Sequence, residues 1–227
     1  PCRRYFNDNS YCVTKYSRVS VAWIALGYYI GFIFLWSLSH ECSAMRTVRY
    51  PLYFAWESQI TFQRWALPLY FSLDIAVILF PFFFATWKKA IAPVGTILAQ
   101  TAVAAIFFVL VPIDPGYETT GVWGPYFYDF FGVENFSRWN HAPSLHVSYV
   151  FTIAWCIGKR YGTITMACAM FWAIWVSIST MLVHEHHLLC VISGFALFVF
   201  TMVTVYPALQ RRYNNDSTSS TLPNSPT

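Results

Sequence analysis

The chain has 227 residues, of which 57% are hydrophobic, 20% aromatic and 11% charged, against about 25% charged in an average soluble domain. That balance excludes an ordinary soluble domain, and a net charge of +4 is too small to mark a nucleic-acid surface. The fold class it leaves is an all-α integral membrane protein, which the hydropathy pattern resolves into a six-transmembrane-helix bundle with an interfacial segment and an aromatic cap loop.

Residues 1–18 carry Arg3, Arg4, Lys15 and Arg18 among polar and aromatic residues. This segment suits either an anionic membrane surface or a solvated tail. Val19 to Ser39 is the first apolar run of the ~20 residues that a helix needs to cross a hydrocarbon core. It is too long for a cleavable signal, and no small-residue cleavage site follows it. Residues 40–65 mix Glu41, Arg46, Arg49, Glu57 and Arg64 with Tyr, Phe and Trp, the composition of the headgroup level. Ala66 to Thr86 is the second span, and Asp74 inside it is read as facing the bundle and pairing with a polar neighbour.

Ala90 to Val111 is the third span. Pro112 and Pro115 end it, because proline lacks an amide donor and disfavours helix in the residue before it. The stretch that follows, to Trp139, is rich in Tyr, Phe, Trp and Gly and reads as a cap over the membrane surface. Pro143 to Gly158, Thr163 to Val183 and Leu188 to Leu209 are spans four to six. The domain boundaries are therefore a cytosolic segment 1–18, a membrane domain 19–209, and a disordered Ser/Thr/Asn/Pro tail 210–227.

Positive charge orients the bundle. In a six-span arrangement Arg3, Arg4, Lys15, Arg18, Lys88, Lys89, Lys159, Arg160, Arg211 and Arg212 share one side, and only Arg46, Arg49, Arg64 and Arg138 share the other. The positive-inside rule then makes both termini cytoplasmic. His146, at the start of span four, and His184, His186 and His187, between spans five and six, share the lumenal or outer face. An argument that used only Lys and Arg thus brings two distant histidine groups to one depth.

Ionisable side chains beside long apolar runs are functional candidates. Near pH 7 a neutral imidazole can attack as a nucleophile while a second protonates a departing oxygen. On a phosphate ester this gives two in-line displacements through a phosphohistidine. Donors for the phosphoryl oxygens are available in Asn140, Ser144, Ser179, Thr180 and the start of helix four. Histidines satisfied by backbone or headgroups are the bland alternative. His184, His186 and His187 also form an HxHH cluster of the kind that binds metal in membrane oxygenases, although a single such box stands here. The six cysteines, Cys2, Cys12, Cys42, Cys156, Cys168 and Cys190, have no metal-ligand spacing.

Pro143-Ser144-Leu145-His146 resembles the second signature of the type 2 phosphatidic acid phosphatase superfamily, in the PSLH form of its inositol phosphorylceramide synthase branch. Ser179-Thr180, five residues, His186, three residues and Cys190 is similar to the third signature, and His184-Glu185-His186-His187 resembles the HEHY stretch of sphingomyelin synthases. The likeness extends, more weakly, from about Tyr50 to Gly194. It implies six helices, His186 as nucleophile, His146 as the acid, a membrane lipid bearing phosphate as substrate, and no cofactor or metal.

Two departures accompany the likeness. Where the family has an aspartate that orients the nucleophilic imidazole, this chain has Cys190, and a thiol is a weak acceptor. Losing a comparable carboxylate in a serine protease costs roughly 10⁴-fold in rate. The family's Lys and Arg-Pro signature is also missing from Val111 to Pro115, so Arg138 and Arg64, with His187, are the remaining candidates for the phosphate. The function this implies is a lipid phosphotransferase. A lipid phosphate phosphatase, or a lipid-binding homologue impaired at Cys190, is the alternative. An introduced substitution at 190, or a relay acid drawn from elsewhere in the chain, would each account for the cysteine.

Overall fold

The computed structural model describes residues 9–114, 116 and 139–215, without the side chains of 9–18, 214 and 215. The fold is helical, with α1 (Asn9–Ala44), α2 (Leu67–Leu79), α3 (Trp87–Leu110), α4 (Leu145–Tyr161), α5 (Thr163–Leu182) and α6 (Leu188–Asn215). Two-residue strands β1 (Tyr50–Pro51) and β2 (Ile113–Asp114) pair in parallel, Tyr50 against Ile113. Short 3₁₀ turns at Glu57–Gln59 and Arg64–Ala66 lead into α2, and a third at Phe80–Phe83 ends it. Pro81 accounts for that ending, since it cannot donate to the helix.

Among the described residues, five helical stretches are long and apolar enough to cross a membrane: Val19–Ala44, Arg64–Phe83, Trp87–Leu110, Thr163–Leu182 and Leu188–Tyr213. The polarity of the bundle is that of a protein in lipid. Trp23, Ile33, Ile106, Phe171 and Val203 are exposed, while Thr96, Gln100, Thr101, Ser148, Thr152 and Thr201 are buried. Buried polar groups in such a setting must pair among themselves. Gln100 Nε2 donates to Thr152 Oγ1 and Thr201 Oγ1, both at 2.8 Å, which ties α3 to α4 and α6. Trp172 Nε1 donates to Ser72 Oγ at 2.9 Å, tying α5 to α2.

Helix α4 has 17 residues, and ten of them are buried. It lies against α2, α3, α5 and α6 and so has little need of a lipid-compatible surface. This explains why its sequence is less apolar than that of the other spans. Its beginning is crowded: a Cβ at Gly194 of α6 would stand 2.5 Å from the Ser144 carbonyl oxygen, and Ser144 N donates to Cys190 O at 3.1 Å.

Several boundaries differ from the sequence reading. Helix α1 begins at Asn9, ahead of the expected Val19, and α6 continues through Asn215, so the tail cannot begin at 210. Span four starts at Leu145, with Ser144 as its N-cap accepting from Val147 N at 3.4 Å, and Pro143 precedes it in a cis peptide. Asp74 is exposed on α2 and not buried in the bundle as expected, with buried Tyr70 one turn before it as its polar neighbour. The expected cap loop falls almost wholly on 117–138, outside the described residues.

Gly194→Ala is expected to force α4 and α6 apart and destabilise the protein by about 1–3 kcal/mol, the usual cost of overpacking. A lower midpoint of thermal unfolding in detergent would show it; an unchanged midpoint would mean that the crossing is looser than 2.5 Å implies.

Candidate functional site

The histidines gather at one end of the bundle, where α4 begins and α5 turns into α6. Lys88 and Lys89, Lys159 and Arg160, and Arg211 and Arg212 stand at helix ends on the far side; Trp87 and Tyr213, with ring centroids 6.1 Å apart, join the start of α3 to the end of α6 there.

The α5–α6 turn is held by its own backbone. Glu185 N and His186 N both donate to Thr180 O, at 2.9 and 3.1 Å, and His184 takes φ 59° to make the reversal. Positive φ is uncommon outside glycine, with His among the residues that tolerate it better. The four side chains of this turn then reach four separate partners. His184 Nε2 lies 2.8 Å from Ile60 O, Glu185 bonds the Tyr70 hydroxyl, His186 meets His146, and His187 meets Glu57.

His186 Nε2 lies 3.4 Å from His146 Nδ1, and the two rings are 5.5 Å apart between centroids and inclined at 60°. The expected pair is therefore in contact. A phosphoryl group seated between a nucleophile and a proton donor needs about 5–6 Å between those nitrogens, given a near-attack distance of ~3–3.5 Å; the rings must part to admit it. His146 stacks on Tyr70 at 4.4 Å and 26°, which fixes the plane of its ring. His141 approaches His186 edge-on at 6.0 Å, its own Nδ1 lying 2.9 Å from Glu185 O.

His186 is 4% exposed, and its Nδ1 has no well-aligned partner among the described residues. Burial first, then repulsion from His146, His141 and His187, holds its pKa well below the ordinary imidazole value of 6.5, which the His141 backbone only partly offsets. The ring is neutral at pH 7, as a nucleophile must be. Burial also lowers His184, offset in part by its bond to the Ile60 carbonyl.

The feature that sequence reasoning missed is Glu57. Fully buried at 0% exposure, its Oε2 lies 2.8 Å from His187 Nδ1 and accepts from Leu188 N at 3.0 Å, while Oε1 accepts from Phe54 N at 2.9 Å. His187 stacks on Tyr53 at 4.8 Å, and a Cβ at Gly116 would lie 3.0 Å from its Nε2. An orienting carboxylate is thus present, but on His187. The signal available in sequence was a lone acid amid aromatics, 130 residues from its partner.

The remaining candidates are placed as follows. Cys190 is fully buried in an apolar cluster with Ile113 and Ala142, its thiol against the His187 backbone. Ser144 caps α4. Asn140 Nδ2 donates to Trp36 O at 3.1 Å, anchoring the segment before α4 to α1, and its Oδ1 is buried without a partner among the described residues. Ser179 and Thr180 are buried and donate to the carbonyls of Val176 and Ser177 in their own helix. Arg64 is exposed in the turn entering α2, and Arg138 lies outside the described residues. Arg49, not singled out from sequence, lies 3.5 Å over the Trp139 ring and donates to Ser43 O at 3.0 Å. Among the described residues no three His, Cys, Asp or Glu side chains converge as metal ligands.

Two outcomes are expected. Glu57→Ala strands His187 and two amides and should lower stability by about 3 kcal/mol or more, with Glu57→Gln, which keeps an acceptor, losing less; unfolding in detergent measures both. For His186 the folded pKa lies below the unfolded 6.5, so the unfolded chain binds more protons as pH falls. Stability should accordingly hold above pH 6.5 and decline below it, and His186→Gln should flatten that decline.

Compared with protein-family models, curated proteins and solved structures, the chain matches none of them.

Proposed function

We propose that the chain is a lipid phosphotransferase that moves a phosphoryl-bearing headgroup through a covalent histidine intermediate. The observation carrying this reading is the contact of His186 with His146, two rings drawn from different elements and set against Tyr70 and His141 at one end of an apolar bundle. A lone pair on neutral His186 attacks phosphorus in line, the bond to the leaving oxygen breaks, and His146, entering the cycle as an imidazolium, delivers the proton that oxygen needs and is left as neutral imidazole. The phosphorus then passes from His186 to an acceptor hydroxyl, whose proton returns to His146. An acceptor alcohol gives transfer, water gives hydrolysis, and a shielded site favours the alcohol.

The same reading takes the chain as a member of the type 2 phosphatidic acid phosphatase superfamily with six spans, α4 being the sixth, sheltered within the bundle. Both termini are cytosolic, and the site faces the lumen or exterior, as the ten-to-four division of basic residues supports. Oxygens of the phosphate are met by the free amides at the start of α4 and by Arg64 or Arg138. No metal is required for such charge stabilisation, which side chains and amides can provide.

One observation favours a second assignment within the same chemistry. His187, not His186, has the buried carboxylate that fixes a tautomer, the part that Asp plays in a catalytic triad. In that version His187 carries the phosphorus and Glu57 is its orienting acid.

The test is to trap the protein with a phospholipid labelled at phosphorus and locate the label. Label at His186, lost in His186→Gln, with His146→Ala slowing its formation by about 10²–10⁴-fold, supports the first assignment. Label at His187 transfers the role to the Glu57-held ring. Neither label nor turnover with any phospholipid or lipid phosphate would leave a binding protein and end the enzymatic reading.

A further inference from the structure

Between α5 and α6 runs a slot of about 370 Å³. One wall is Met181, Ile178 and Ile174 of α5; the other is Leu188, Ile192 and Phe195 of α6. Each set recurs at three or four residues, one face of a helix, and spans seven residues, about 10 Å along the axis. The slot is open to the side, since Ile174, Ile178, Ile192 and Phe195 are all exposed on the outer surface. Its floor includes Val147 of α4, fully buried. The polar residue lining it, Ser177, donates its hydroxyl to Ala173 O at 2.8 Å.

Position relates this slot to the histidines. Leu188 directly follows His187, and Val147 directly follows His146, so its upper end adjoins the candidate site and its lower end points toward the middle of the bundle. A slot that is apolar apart from one hydroxyl already bonded within its own helix, parallel to the helices and open to the surroundings, has the direction and chemistry of an acyl chain in a bilayer. A helix of another protein does not fit: 10 Å of helix about 10 Å across needs roughly twice the volume.

We infer that this slot seats one acyl chain of the phospholipid substrate and so aligns its phosphate with the His146–His186 pair. The inference rests on the function proposed above and adds the element that positions the lipid. Lipid tails are as apolar as the slot walls, so no hydrophobic force draws a chain in. What the slot supplies is shape: close packing against fixed side chains and a set depth for the phosphate beneath α4.

A phospholipid with a photoactivatable group in its acyl chain, irradiated with the protein in nanodiscs, tests this by mass-spectrometric mapping. Labelling should favour residues 174–181 and 188–195 over exposed apolar residues elsewhere, such as Trp23 and Ile106, by about tenfold, the ratio that a ~1.4 kcal/mol preference gives. Unlabelled phospholipid should compete it away, and Ile178→Trp or Ile192→Trp, each filling the slot from its rim, should remove it. Even labelling over the whole lipid-facing surface would overturn the inference, whatever the turnover. Competed labelling of the slot in protein that turns over no phospholipid would uphold the slot and remove the catalytic reading. Where turnover is present, the two tryptophan variants should raise KM for a long-chain phospholipid about tenfold and leave a short-chain, water-soluble analogue unaffected; equal loss on both would count against the slot.

Discussion

The arrangement of the histidines depends on one buried carboxylate. Glu57 accepts from the amides of Phe54 and Leu188 and pairs with His187 Nδ1, which joins the segment before α2 to the first turn of α6. An unpaired carboxylate at 0% exposure would cost far more than any single hydrogen bond contributes. With three partners it instead fixes where the α5–α6 turn sits, and so the height of His186 opposite His146. The register of the turn comes from Glu57 on one side and from the Ser144 amide bonded to Cys190 O on the other.

Lipid compatibility explains the rest of the bundle by the same logic. Outward positions are apolar because the surroundings are, while inward positions can be polar when the groups meet. Gln100 with Thr152 and Thr201, and Thr101 with Tyr149 at 2.5 Å, are such meetings. They cluster on α3, α4 and α6, the helices that enclose the axis below the histidines. Interhelical bonds of this kind are worth only about 0.6 kcal/mol each on average in membranes. Their larger effect is on register, since a one-residue slip would leave several buried groups unpaired.

What could be read from the sequence follows from how local each signal is. Runs of ~20 apolar residues identify membrane-crossing helices from composition alone, and helices appear at all six of the expected places. Helix ends were less legible: α1 and α6 extend into polar residues such as Asn9 and Asn215, because a helix may project beyond the hydrocarbon where hydropathy no longer reports on it. The His146–His186 meeting was foreseen from motif spacing and from the shared side of their helix ends. The Glu57–His187 pair was not, because it links a 3₁₀ turn in a mixed aromatic segment to a residue 130 positions away, and neither periodicity nor spacing carries that information. Asp74 failed for the opposite reason: the rule that acids in spans face inward is statistical, and on α2 the buried positions are taken by Tyr70 and Leu73.

Two neighbouring imidazoles thus stand in contrasting surroundings, and the contrast bears on chemistry more than either residue alone. His187 is oriented by the Glu57 carboxyl group and stacked on Tyr53, an arrangement that fixes the plane of the ring and holds one tautomer. His186 has rings for neighbours, no anion at Nδ1 among the described residues, and a depressed pKa. It is easily kept neutral and poorly prepared to hold charge. A ring that attacks phosphorus acquires positive character, which the phosphoryl oxygens themselves offset, so a site without an orienting acid relies on the substrate's own anion. The cost falls on the resting state, where the described residues offer the ring the long contact to His146 and the His141 backbone and no carboxylate to hold its tautomer. Cys190 cannot assist, being turned toward the His187 backbone among Ile113 and Ala142. Under the proposed phosphotransfer, the ring that meets the phosphate is selected by two things together, the pairing of Glu57 with His187 and the side of the bundle from which the substrate's chain enters.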